Sequence, residues 1–169
     1  MKGEIRFRTE IKNLLIRRDK VIIVLDKITY VYLLTTLKPI ASIPTINNEK
    51  GVCAISYDKD RFVLVTLDTE PGNIRIENFH INEVKRGAMH ENPISHLSLN
   101  YEGTFGASAS EQGTIIRVFD TMTLDILHEL RRGTNPANIT SLAFSPDQRF
   151  ILACSNRPTI HVWDLQQSQ

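Results

Sequence analysis

Ile94-Ser95-His96-Leu97-Ser98-Leu99, closed by the turn Tyr101-Glu102-Gly103, returns as Ile139-Thr140-Ser141-Leu142-Ala143-Phe144 with the turn Ser145-Pro146-Asp147. Two earlier copies precede it. One opens at Ile11-Lys12-Asn13-Leu14-Leu15-Ile16 and turns at Arg17-Arg18-Asp19; the other opens at Val52 and turns at Asp58-Lys59-Asp60. Starting points about 41 to 45 residues apart match the period of a four-stranded propeller blade. Within each copy the apolar residues alternate with period two. Ile115, Arg117 and Phe119 fall on one face of a strand, and Ile116, Val118 and Asp120 on the other. β-branched and aromatic residues dominate these runs, and no amphipathic helix stands out. The pattern predicts an all-β, WD-repeat β-propeller, here a partial ring of about four units over 7–46, 51–87, 90–131 and 134–169. The third unit carries strands near 94–99, 105–109, 115–119 and 125–130. The fourth has three strands before Gln169, so the expectation is a segment of a longer ring; a self-contained four-bladed ring is the alternative.

Composition narrows the function. A formal net charge of +1 over 169 residues excludes a globally basic nucleic-acid binder, so recognition of anions must come from local clusters. Cys53 and Cys154 lie in apolar runs without metal-ligand spacing, which predicts two buried thiols in a reducing compartment. No secretory signal pattern and no apolar run of membrane-spanning length is present, so a cytosolic chain with peripheral membrane contact is expected. No motif ties a Cys/His or Ser/His/Asp set together, and Gly103, Gly106 and Gly113 lack the lysine and helix of a phosphate-cradling loop. No enzymatic activity, cofactor or metal is expected.

The local cluster is Leu130-Arg131-Arg132-Gly133, in the connection between the third and fourth units. On an extended backbone neighbouring side chains leave on opposite faces, so adjacent arginines can serve two separate anion pockets. The bland alternative is a solvated basic turn, and Arg17-Arg18 is expected to be one. His161, close to Trp163-Asp164, and His90 can equally be structural, and Ser110 and Thr114 can simply bond backbone.

With these residues in place the chain resembles the PROPPIN family, the WIPI and Atg18-like β-propellers that bind polyphosphoinositides in autophagy. The resemblance rests on Phe7-Arg8-Thr9 through Ile28-Thr29-Tyr30-Val31-Tyr32, on Lys50-Gly51-Val52-Cys53-Ala54, on Ala109 to Thr121, on Leu130 to Thr134 and on Ser155 to Val162. Leucine before the arginines is similar to the WIPI3- and WIPI4-like branch. Family members have seven blades, so this chain corresponds to roughly the third to the sixth. The resemblance implies a first lipid site from His90, Ser110, Thr114 and Arg131. It implies a second from Arg132, Ser155, Thr159 and His161, with Thr134 nearby. Guanidinium groups make planar, charge-assisted bonds to phosphate oxygens, and hydroxyls and imidazole add donors.

The resemblance further implies phosphatidylinositol 3-phosphate and phosphatidylinositol 3,5-bisphosphate as ligands, and phosphoinositide-containing membranes and an autophagy-related lipid-transfer protein as partners, with no nucleic acid. It places the protein in the cytoplasm and peripherally on phagophore, endosomal or vacuolar/lysosomal membranes. The competing expectation is a WD-repeat protein–protein scaffold without lipid binding. Departures from the family pattern are Gln112 and Arg157 in place of lysine, Cys154 in place of serine, and Pro158 in place of glycine. Proline fixes φ and removes an amide donor. The bilayer-inserting loop of the family's sixth blade is expected beyond Gln169.

Overall fold

The computed structural model describes residues 3–166. Its strands form four antiparallel meanders in chain order. The first sheet comprises β1 (Asn13–Arg17), β2 (Lys20–Val24), β3 (Ile28–Leu33) and β4 (Pro39–Pro44). The second comprises β5 (Cys53–Ile55), β6 (Val63–Leu67), β7 (Asn73–Asn78) and β8 (Glu83–Ala88). The third comprises β9 (Ile94–Leu99), β10 (Phe105–Ser110), β11 (Ile115–Asp120) and β12 (Ile126–Arg131). The fourth comprises β13 (Ile139–Phe144), β14 (Phe150–Ser155) and β15 (Ile160–Asp164). No helix occurs among the described residues. The last three residues of the unit expected over 134–169 lie outside them.

Three apolar cores fill the junctions between consecutive sheets, which distinguishes a propeller from a two-sheet sandwich. Ile22, Val24 and Val31 meet Ile55, Phe62 and Leu64 between the first two sheets. Val65, Ile74 and Ile76 meet Ile94 and Phe119 between the second and third. Ala107, Ala109, Ile116 and Val118 meet Leu142, Ile151 and Ala153 between the third and fourth. The innermost strand β9 packs against both β5 and β13, as strands around a common axis do. β11 feeds two cores because its faces alternate: Val118 looks to one junction and Phe119 to the other, beside an irregularity in its pairing with β12. The Phe119 ring lies over Gly106, where an added Cβ would collide with it.

Ile5 and Phe7 cover the outer flank of the first sheet, packing on Val21, Ile23 and Leu25 with Tyr30 and Tyr32. The ring centroids of Phe7 and Tyr30 are 5.5 Å apart.

Two sequence expectations are corrected. Arg17 is not part of a solvated turn: only 4% exposed, it donates from Nε to the Ser56 carbonyl at 2.9 Å and from Nη2 to the Asp58 and Arg61 carbonyls. Its guanidinium also lies 4.9 Å from the Phe62 ring centroid. Carbonyl oxygens of the second sheet's β5–β6 turn need a donor there, and a guanidinium supplies several in one plane. Arg18 does remain exposed. Cys154 is part-exposed rather than buried, and Cys53 is part-exposed as a residue although its thiol is enclosed as expected. Enough of Cys53 is enclosed that burial still pushes its thiol up to about 12.

Candidate anion-binding rim

β10 ends at Ser110 and the chain must reverse into β11. The reversal is tight: the Gly113 amide donates to the Ser110 carbonyl at 3.0 Å. Gly113 takes φ +60, and a Cβ there would collide with the Ala137 carbonyl oxygen. Glycine is therefore required by conformation and by space. Facing this turn is the connection that leaves β8. Gly72, at φ +76, receives hydrogen bonds on its carbonyl from the Met89 and His90 amides at 2.8 and 3.1 Å.

Between turn and connection lies a hollow of about 560 Å³. His90, Glu91, Asn92, Ser110, Gln112, Thr114 and Arg117 form its polar lining, with the exposed Glu91 its one carboxylate and Arg117 its one guanidinium. The structure thus brings together three of the four residues assigned to the first site. His90 Nε2 shares a hydrogen bond with Ser108 Oγ at 2.9 Å. Burial first, then the charge of Arg117, pushes the His90 imidazole down to about 4, so the ring is neutral near pH 7.

Arg117 joins the hollow without having been expected from the sequence. Its Nε donates to Glu129 Oε1 at 2.7 Å, and Nη1 donates to the Met89 carbonyl. Glu129 is its register partner across β11 and β12. The available signal is an arginine set between Ile115 and Phe119 on one face of a strand. Ser108, fully buried two residues before Ser110, carries the same kind of faint signal.

Arg131 ends β12 opposite Ile115 and is exposed. Among the described residues no hydrogen bond or ion pair engages its guanidinium, and it does not line the hollow. Arg132 is 8% exposed; its Nε donates to the Gly113 carbonyl at 2.5 Å and its Nη2 to the Asn135 carbonyl. Its amide donates to the Thr114 carbonyl at 2.9 Å. Ser155 is buried, and its Oγ accepts from the Arg157 amide at 3.3 Å. Thr159 Oγ1 lies 3.5 Å from His161 Nε2, and His161 stacks on Trp163 with centroids 5.6 Å apart. Thr134 is exposed in the connection to β13. Within the second set the structure shows a side-chain contact only between Thr159 and His161, while Ser155 bonds the Arg157 amide and Arg132 is occupied by backbone.

Among the described residues no group of three or more His, Cys, Asp or Glu side chains could hold a metal ion. No helix is long and apolar enough to cross a membrane.

Comparison with known proteins agrees with the fold. The model of the PROPPIN family matches residues 3–169. Autophagy-related protein 18e of Arabidopsis thaliana is 31% identical over 164 residues, covering 97% of this chain and 44% of that protein. Autophagy-related protein 18 of Dictyostelium discoideum is 29% identical over 166 residues, covering 98% and 45%. The chain therefore spans less than half the length of these relatives. Among solved structures, Hsv2 of Kluyveromyces lactis superposes with a TM-score of 0.84 at 21% identity, covering 97% of this chain and 51% of that one. A structure described as a complex of KlAtg21 with the coiled-coil of AgAtg16 gives 0.80 at 22% identity, covering 95% and 54%. These structural likenesses concern the fold.

Proposed function

The chain belongs to the PROPPIN family, and on that premise we propose that it binds phosphoinositide headgroups on autophagy-related membranes, as a non-catalytic adaptor. One observation carries the reading: His90, Ser110, Thr114 and Arg117 converge on a single rim hollow. A phosphomonoester there would meet hydroxyl donors and a guanidinium already held in place by Glu129 and the Met89 carbonyl. The exposed Arg131 would reach the headgroup from the neighbouring edge, adding charge without prior commitment to the protein.

The ligands favoured are phosphatidylinositol 3-phosphate and phosphatidylinositol 3,5-bisphosphate. The second site would use Ser155, Thr159, His161 and Thr134 with Arg132. Arg132 would take part by exchanging the Asn135 carbonyl for a phosphate oxygen while keeping Gly113. Two headgroups on one edge would combine weak contacts into avidity. Basic residues near an anionic bilayer surface would add about 1 kcal/mol each. An autophagy-related lipid-transfer protein is the proposed protein partner.

Liposome sedimentation tests the reading. Vesicles containing either 3-phosphorylated lipid should sediment the wild-type chain, and Arg131→Thr and Thr114→Val should weaken that several-fold. Sedimentation indifferent to both lipid and substitution would overturn it in favour of a peptide-binding scaffold.

A further inference from the structure

One sheet back along the same rim lies a second hollow, of about 300 Å³, whose charged lining is mostly acidic. It forms where the β4–β5 connection passes the β6–β7 turn. Leu67 closes β6 there, in the position where Ser110 closes β10. Ile46, Val52, Leu67 and Ile94 give it an apolar floor. Glu49, Glu70 and Glu111, all exposed, and Lys50 are its charged lining, three carboxylates against one ammonium. The lysine is already engaged, with Nζ 3.1 Å from Glu111 Oε1. Asn47 donates to Glu49 Oε1 at 3.1 Å, holding that carboxylate near the mouth. The adjoining hollow shares Asn47 and Glu49 and adds Glu10, Asp26 and Lys12, whose Nζ lies 2.6 Å from Glu10 Oε2. An anionic headgroup would be repelled from this part of the rim.

We propose that this hollow docks an extended segment of a partner protein that presents an arginine beside an aliphatic side chain. The aliphatic group would lie on the Ile46–Leu67–Ile94 floor, where it leaves water. The guanidinium would sit among Glu49, Glu70 and Glu111, where its planar fork can pair with carboxylates. Volume permits this, since about 300 Å³ is at the lower end of small-ligand pockets and admits one or two side chains. Release of Glu111 from Lys50 would cost little, because both partners are more than half exposed at 58% and 52%. The two hollows would then sort partners by charge along one edge: basic peptide over the second sheet, phosphate over the third. This inference stands independently of lipid binding.

Amide chemical-shift titration of the full chain tests it with three blocked tetrapeptides, Gly-Leu-Arg-Gly and its versions with Gln or Glu for Arg. The arginine peptide should shift the amides of Asn47, Gly72 and Ile94 while leaving those from Ser110 to Arg117 unmoved. The Gln peptide should bind at least about fivefold more weakly, and the Glu peptide more weakly still. Glu70→Gln combined with Glu111→Gln should weaken the arginine peptide about tenfold, and about 0.5 M salt should weaken it too. Lys50→Gln should strengthen it about threefold, by freeing Glu111 and removing a like charge. All three substituted side chains are exposed, and far-ultraviolet circular dichroism checks that the variants keep the fold. Equal binding of the Arg and Gln peptides, no strengthening by Lys50→Gln, or shifts confined to other regions would overturn the proposal.

Discussion

Arg131 and Arg132 are neighbours in the chain and opposites in environment: Arg131 is exposed at the end of β12, whereas Arg132 is buried and bonded to the Gly113 and Asn135 carbonyls. Their substitutions should therefore separate. Arg132→Ala should lower stability by about 1.5–3 kcal/mol, because it strips charged donors from carbonyls in a nearly buried turn. Arg131→Ala should stay within about 0.5 kcal/mol of wild type while weakening vesicle binding. Urea denaturation beside liposome sedimentation reads both effects. Equal destabilisation by the two would contradict the assigned environments.

Arg17 performs for the first and second sheets what Arg132 performs for the third and its connection. Replacing it with methionine keeps much of the packing on Phe62 but leaves the Ser56, Asp58 and Arg61 carbonyls short of a donor. A loss of about 2–3 kcal/mol is expected by denaturant titration. Arg18→Met, at an exposed position, should be nearly silent.

Gly113→Ala should cost about 1–3 kcal/mol, since the residue has φ +60 and no space before the Ala137 carbonyl. Gly133→Ala offers the matched control, because a Cβ there meets nothing within 4 Å. Melting temperatures of the pair should differ by several degrees. Indistinguishable values would show that the turn can relax.

His90 links the hollow to pH. Its folded-state value, about 4, lies below the 6.5 of an unperturbed imidazole, so the unfolded chain binds the proton first. The stabilisation is fully present above pH 6.5 and is lost as pH falls through about 4. His90→Gln should flatten stability across that window, measured as unfolding midpoints against pH. A variant curve as steep as that of wild type would assign the acid sensitivity to other groups.

Period-two alternation and the repeat spacing make the strands legible. Both place β9 at Ile94–Leu99, the limits it has in three dimensions. They end β11 one residue early, because Asp120 carries a polar, turn-like side chain while its backbone still pairs in the strand. The hollow is partly legible, since Ser110 and Thr114 flank a turn whose glycine brings them together. Arg117 is not, because its pairing with Glu129 depends on the β11–β12 register and its other partner is the Met89 carbonyl; nor is the burial of Arg17, whose partners are backbone carbonyls of another segment. Carbonyls carry no residue-type signature, so an arginine that satisfies them looks the same in sequence as one facing water. The part-exposure of Cys53 and Cys154 is hidden similarly: apolar neighbours in sequence say nothing of how completely the adjoining strands cover a residue.

The hollow beside His90 is walled by Pro71 and Ala88 on one side and by Ser110 to Arg117 on the other, so its two walls belong to different sheets. An occupant would act as a clasp across that seam. Whatever free energy it releases on binding would also resist parting of the two sheets, and a membrane pulling on the headgroup would load the joint itself and not a single loop.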